Sequence, residues 1–257
     1  MSDLTRDAER SRASKIALRS RLVTSRRALS PASLASAAAA IHDQVLSLVR
    51  RERPSIIAAY VPVGREPGGA ELVVSLSTHA RVLLPVLLTD GDLDWAFFDA
   101  SRADGPADQA GPPDPASVPD LPSVPDLPSL PDLPSVPDLA RAPGLARAPG
   151  LVGGPRGLLE PAGPRLGVAG ITSAQLVLVP ALAVDRRGLR MGRGGGSYDR
   201  ALSRLPATGG PPVVALLHDG ELVDTVPAEP HDRPVHAAIT PRVGLTVFVD
   251  PLRPPTQ

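Results

Sequence analysis

Two periods of apolar and polar residues divide this chain into elements. Residues 4–29 carry apolar positions at helical spacing among many charged ones and predict a first helix. Ser30 then stands as an N-cap with Pro31 in the first turn, opening a second helix that runs to about Arg51. Shorter segments follow: 55–63 is strand-like, 70–80 helix-like, 81–88 strand-like, and 93–98 alternates enough to be another strand. Much later, 175–184 is a continuous apolar run of the kind a buried strand has. After it come a glycine-rich loop, a helix over 197–205, and strands near 213–217, 235–239 and 245–249. Strands alternating with helices predict the α/β class: one three-layer α/β/α domain with a mostly parallel central sheet and helices on both faces.

Between these halves the periodicity disappears. Ser117-Val118-Pro119-Asp120-Leu121-Pro122 recurs from Ser123 and Ser129, with a partial copy from Ser135, and Leu139–Gly144 is copied at Leu145–Gly150. The chain has 32 prolines, and they crowd this stretch, where missing N–H donors disfavour both helix and central strand. Residues 102–154 are therefore predicted to be a low-complexity, disordered or polyproline-like insert. A tolerated spacer and a ligand for a proline-binding groove both suit such a tract. The flanks, 1–101 and 155–257, are expected to fold together as one domain.

Composition narrows the function classes. Basic and acidic side chains number 27 each, so no net charge recruits nucleic acid or an anionic membrane. There is no cysteine, which removes disulfides and thiolate metal sites. The charged start, Met1 to Lys15, contains no apolar signal segment, so cytoplasmic residence is the expectation. Lys15 is the one lysine beside 26 arginines, in a chain whose basic positions are otherwise all arginine. A need for a compact point charge explains such a survivor, as does chance.

The segment richest in chemistry is Arg190-Met191-Gly192-Arg193-Gly194-Gly195-Gly196-Ser197-Tyr198-Asp199. Three consecutive glycines let backbone N–H groups approach an anion, Arg190 and Arg193 supply forked donors, and Asp199 can meet a divalent cation. A flexible turn between strand and helix fits the glycines alone. No lysine with Ser or Thr closes the loop, and no acidic residue follows at dinucleotide-fold spacing, so neither a standard P-loop nor a dehydrogenase fingerprint is present. On the first helix, Lys15 and Arg19 lie four apart and share a face, a like-charge pair that an anionic ligand would relieve. A solvated basic face accounts equally for that spacing.

Taken in order, Lys15-Ile16-Ala17-Leu18-Arg19, Glu66-Pro67, Gly157-Leu158-Leu159-Glu160-Pro161, and Val179 to Asp185 leading into Arg190 to Asp199 form a set. This set resembles the 5-formyltetrahydrofolate cyclo-ligase family, also called methenyltetrahydrofolate synthetases, over nearly the whole chain outside the insert. The resemblance implies ATP- and magnesium-dependent closure of 5-formyltetrahydrofolate to 5,10-methenyltetrahydrofolate, releasing ADP and phosphate. It implies Lys15 and Arg193 as catalytic residues. ATP binding falls to Lys15, Arg19, Arg190, Met191, Gly192, Arg193, Gly194, Gly195, Gly196, Ser197 and Tyr198. Folate contacts fall to Glu66 and to Arg193, Gly194, Gly195, Gly196 and Ser197, and the magnesium ligand is Asp199. Glu160 and Pro161 are expected to be structural, and Asp185 to fix the turn after its strand.

The chain departs from the family pattern at three positions. Gly195 stands where many relatives carry lysine, and Ser197 where many carry the first tyrosine of a pair. His236 stands where relatives often place an aspartate implicated in magnesium binding, and imidazole suits magnesium poorly. His236 is thus expected to be structural, with Asp232 and His231 as anchors of the neighbouring loop. Two other readings share these residues: a folate- or nucleotide-binding relative with weakened turnover, and an ATP-dependent ligase or kinase of the same fold with another acceptor.

Overall fold

The computed structural model describes residues 3–69, 71–101, 150–228 and 232–248. Two helices open it: α1 (Asp3–Ala28) and α2 (Pro31–Glu52). The boundary between them is chemical. Ser30 is extended (φ −72°, ψ 157°) and its hydroxyl accepts from Ser33 N at 3.1 Å, while Pro31 needs no donor at the first helical position. At the far end Arg53 turns left-handed (φ 49°) and its N–H donates to Val49 O at 2.8 Å. Helix α2 is long and apolar enough to cross a membrane by length and composition. Its Ile41, Val45, Leu48 and Val49 are instead buried against the sheet.

The chain continues through β1 (Ile56–Ala58), α3 (Leu72–Ser77), β2 (Arg81–Leu87) and β3 (Leu93–Phe97). It resumes with β4 (Leu151–Gly153), β5 (Leu159–Pro161), a 3₁₀ segment Val168–Ser173, β6 (Leu176–Pro180), β7 (Ala183–Asp185) and β8 (Arg190–Met191). It ends with α4 (Ser197–Ser203), β9 (Val213–Leu216), β10 (Leu222–Val223), β11 (Ala237–Thr240) and β12 (Gly244–Val247).

Seven strands form the central sheet in the order β12-β11-β9-β6-β1-β2-β3, parallel throughout except at its two edges. Its inner strands are almost entirely apolar because both faces are covered. One face packs on α2 and α3 through Ile57, Leu84, Leu178 and Leu216. The other packs on α4 and the 3₁₀ segment through Leu83, Trp95, Val179 and Ala215. This is the expected α/β/α arrangement with a mostly parallel sheet. Strands β1 and β2 are linked through α3 on one face, and β6 and β9 through α4 on the other. The topology therefore switches between β1 and β6, and a crevice opens beyond their carboxyl ends.

Two smaller sheets stand apart: β10-β7-β8 and the hairpin β4-β5. Helix α1 packs on the three-stranded one, where Leu22 meets Leu182, Ala183, Met191 and Val226.

Several sequence expectations are corrected here. The run 175–184 is not one strand: β6 ends at Pro180, which cannot donate to a ladder, and β7 joins a different sheet. The glycine loop consequently follows the β7–β8 hairpin rather than the central strand. Of 55–63 only Ile56–Ala58 is strand, and the buried segment Ala59–Val61 runs on toward the crevice. Strand structure resumes before the expected end of the insert at residue 154, since Leu151–Gly153 pairs antiparallel with Leu159–Pro161. The repeats over 102–149 and His231 lie outside the described residues.

Candidate active site

A cavity of about 560 Å³ occupies the crevice at the carboxyl ends of β1, β2 and β6. Tyr60 and Val61 after β1, Pro85 and Leu87 of β2, Leu93 of β3, and Leu158 and Leu159 give it an apolar wall. Opposite them stand cations from two distant parts of the chain: Lys15 and Arg19 of α1, and Arg190 and Arg193 around the glycine loop. Every site residue named from sequence, from Lys15 and Arg19 through Glu66 to Arg190–Asp199, lines this one cavity.

Helical spacing explains α1's contribution. Its buried positions are Lys15, Leu22 and Arg26, with Leu18, Arg19 and Val23 partly covered, so a single stripe faces inward. Half of that stripe is cationic. Lys15 Nζ lies 2.8 Å from Asp232 Oδ2, with both side chains about nine-tenths buried. Arg19 Nε donates to Gly192 O at 3.1 Å, tying the helix to the loop. Arg26 forms a forked pair with Glu221 at 2.6 and 2.7 Å and donates to Ala181 O.

The loop's glycines are required where the backbone is left-handed or crowded. Gly194 (φ 103°) faces the Arg19 guanidinium, and a Cβ on Gly192 would stand 2.9 Å from Arg190 Nη1. Arg190 is buried and donates to Asp199 Oδ1 at 2.7 Å and to Pro180 O at 3.4 Å, while its Nε is buried without a partner. Arg193 is exposed, its Nε 3.4 Å from Glu66 Oε1, and Glu66 Oε2 also accepts from Val63 N at 2.9 Å. Tyr198 has its phenol pushed above the ordinary range, first by burial and then by the Glu66 charge, with Arg190 opposing. Tyr60 is shifted up for the same leading reason, and its hydroxyl donates to Pro67 O at 2.7 Å.

A family model described as the 5-formyltetrahydrofolate cyclo-ligase family matches residues 11–118 and 141–241. The 5-formyltetrahydrofolate cyclo-ligase of Mycolicibacterium smegmatis is 36% identical over 241 residues, covering 91% of this chain and 97% of that protein. The chain belongs to the 5-formyltetrahydrofolate cyclo-ligase family. It is an enzyme of that family, and the model's match leaves out only 119–140 between its two segments, within the proline repeats. In fold it is similar to the 5,10-methenyltetrahydrofolate synthetase of Aquifex aeolicus (TM-score 0.64, 18% identity, 92% of this chain and 93% of that one). The Mycoplasma pneumoniae 5,10-methenyltetrahydrofolate synthetase is similar as well (TM-score 0.55, 15% identity, 87% and 96%).

Within this cyclo-ligase some residues are structural. Glu160 is buried and accepts from Leu87 N at 2.9 Å, holding the end of β2. Asp185 is fully buried. Burial alone would raise its pKa, but N–H groups of Val226, Leu189 and Arg187 and the Arg187 guanidinium hold it below the usual carboxylate range. His236 does not line the cavity. Its Nδ1 accepts from Val213 N at 2.9 Å, and burial lowers its pKa.

Sequence reasoning missed the apolar wall and the part Arg26 plays. The wall residues are scattered over four segments with no shared spacing. Arg26 was readable, being eleven residues, three helical turns, after Lys15. Asp232 was placed as a loop anchor, and its partner Lys15 lies 217 residues away, beyond any local pattern.

Proposed function

We propose that the chain closes 5-formyltetrahydrofolate to 5,10-methenyltetrahydrofolate while converting ATP to ADP and phosphate. The observation that supports this most is the convergence of Lys15 and Arg19 with the Arg190–Asp199 loop on one cavity. A triphosphate needs clustered cations and open backbone donors, and the cluster here is drawn from both halves of the chain. The apolar wall of Tyr60, Val61, Leu87 and Leu159 suits an aromatic folate, with Glu66 placed to accept from its ring N–H groups.

A formamide is a poor electrophile, and its oxygen does not leave. Transfer of the γ-phosphoryl to the formyl oxygen forms a P–O bond there and breaks the bond to ADP. The second folate nitrogen then attacks the formyl carbon and closes the ring, its proton passes to solvent, and phosphate departs with the oxygen to leave the methenyl bridge. Little covalent work falls on the protein, so its residues position and neutralise. Lys15 is a compact charge for the transferring group. Arg193 changes partner from Glu66 to phosphate, and this frees Glu66 for the folate. Arg19 and Arg190 keep the loop shaped.

The residues present fit a magnesium ion. Asp199 offers a hard oxygen donor in the same cavity as the phosphate cations, and magnesium commonly takes one or two carboxylates with phosphate and water completing its shell. His236, committed to Val213, is not among the candidates. When bound, magnesium supplies charge neutralisation at the phosphate oxygens. A cytoplasmic setting, where ATP and reduced folates are present, belongs to the same proposal.

The test is purified protein with 5-formyltetrahydrofolate, ATP and magnesium, following methenyl product by its near-ultraviolet absorbance. Product is expected only when all three are present. Lys15→Met is expected to cut kcat/KM by about 100-fold or more with the fold intact by circular dichroism, the scale of losing one charge donor at a phosphoryl-transfer site. Product formed at the wild-type rate by that variant overturns the assignment of Lys15. Nucleotide binding without turnover in the unmodified chain points to a binding protein instead.

A further inference from the structure

The glycine loop is held from outside by a feature that its own sequence does not announce. The β2–β3 turn places Gly91 (φ 80°) with its N–H donating to Leu88 O at 3.0 Å, and the Gly91 carbonyl projects toward α4. That carbonyl accepts twice. Ser197 Oγ donates to it at 2.5 Å and Arg200 Nη2 at 2.6 Å. The same Nη2 reaches Gly195 O at 3.3 Å, so one guanidinium joins the hairpin tip to the middle of the loop.

The slot for this guanidinium is lined by two glycines. A Cβ on Gly91 would stand 3.1 Å from Arg200 Nη2, and a Cβ on Gly196 (φ 68°) 3.0 Å from Arg200 Nη1. Both positions are thus doubly committed, to a left-handed backbone and to space for the arginine. A second contact between hairpin and helix lies further from the loop: Arg204 pairs with both oxygens of Asp92, at 3.2 and 2.5 Å.

We infer that Arg200 is a positioning residue for the nucleotide, acting through Gly91 and Gly195 to hold the loop backbone in its anion-receiving shape. This deepens the proposed function, on which the assignment of the loop to the triphosphate rests. The chemistry favours arginine over lysine, because the two N–H bonds of one planar Nη2 are fixed in direction toward the two carbonyls, whereas an ammonium on a flexible stem is not held in that geometry. Ser197 contributes through its hydroxyl, at a position where an aromatic ring could not make this bond to Gly91.

The experiment compares Arg200→Ala, Arg200→Lys, Ser197→Ala and Arg204→Ala with the wild type in two readouts. These are KM and kcat for ATP, and hydrogen exchange of the 192–198 amides without nucleotide. Arg200→Ala is expected to raise KM for ATP about tenfold with kcat changed less than about threefold, the scale of losing charge-assisted bonds that hold a binding loop. Its loop amides exchange faster, Arg200→Lys recovers part of both effects, and Ser197→Ala shows a smaller change in the same direction. Arg204→Ala loses an ion pair between the same two elements and keeps wild-type KM and exchange. Wild-type KM and exchange in Arg200→Ala, or equal changes in Arg204→Ala, overturn the inference. Product formed by the wild type without nucleotide overturns the functional reading alone, and the exchange data then decide the clasp by themselves. Should Arg200→Ala fail to fold, Arg200→Lys and Ser197→Ala carry the same comparison.

Discussion

The central sheet and the α1 unit are held together by different physics. Inner strands β1, β6, β9 and β11 bury nearly every side chain among aliphatic neighbours on two faces. Among the described residues, the unit of α1 with β7, β8 and β10 has five buried apolar side chains in its cluster and relies on buried or half-buried ion pairs: Lys15–Asp232, Arg26–Glu221, Arg187–Asp185 and Arg190–Asp199. Apolar burial gives the first region stability that needs no ion pairing. Paired charges give the second region donors that a polyanion can recruit by exchanging partners. The unit to which the proposed function assigns the triphosphate is thus the one whose cohesion is electrostatic.

The largest expected effect breaks that contrast directly. Arg26→Met leaves Glu221 buried with its main partner gone, and is expected to cost about 3–5 kcal/mol. Arg26→Met combined with Glu221→Met is expected to regain most of the loss, because an apolar pair of similar volume replaces a desolvated ionic one. In the central sheet Leu178→Ala costs about 2–5 kcal/mol through lost transfer energy and a cavity, with no charged partner whose removal could rescue it. Denaturant unfolding of these variants checks both statements. A loss under about 1 kcal/mol in Arg26→Met, within the range of solvent-exposed pairs, removes the electrostatic account of the α1 unit.

Acid separates the two regions by pH window. Asp185 has a folded pKa below its ordinary value of about 3.9, so its contribution is complete above that pH and is lost as pH falls through the folded value. His236 beside β9 also has a lowered folded pKa, but its unfolded value is about 6.5, so the unfolded state gains its proton first and stability declines as pH drops below about 6.5. Thermal unfolding against pH is expected to show two limbs. His236→Gln flattens the upper one, and Asp185→Asn reduces the lower, which Asp92 shares through its own lowered pKa. A single limb below pH 4 in the wild type sinks the role given to His236.

How much was legible follows the same division. The central sheet could be read from sequence because its signals are local: apolar runs, Ser30 with Pro31, and short loops. That the glycine loop faces the crevice could be read from its own ten residues and the helix that follows them. What could not be read depended on distance. Pro180 divides 175–184 between two sheets, and only the pairing of β9 and β10 shows which part goes where. Asp232, Glu221 and Gly91 act on partners 217, 195 and 109 residues away, and no period or spacing encodes such meetings. The hairpin β4–β5 was hidden because Leu151–Gly153 directly follows the proline repeats and shares their composition.

The smallest effect sharpens the comparison from the side of the apolar region. Ser30 caps α2, whose inward face belongs to the sheet core, and it touches neither the cavity nor the ion pairs of α1. Replacing it by alanine leaves the Ser33 N–H without that acceptor, at an expected cost of about 1 kcal/mol. For a domain of this size that lowers Tm by about 2–4 °C. Because α2 packs as a unit on the sheet, the loss should appear in global unfolding, while KM for ATP and kcat stay at wild-type values. A change in KM for ATP in Ser30→Ala would mean that the start of α2 and the cation stripe of α1 are mechanically one piece, and the division drawn between the two regions would have to move to the far side of α2.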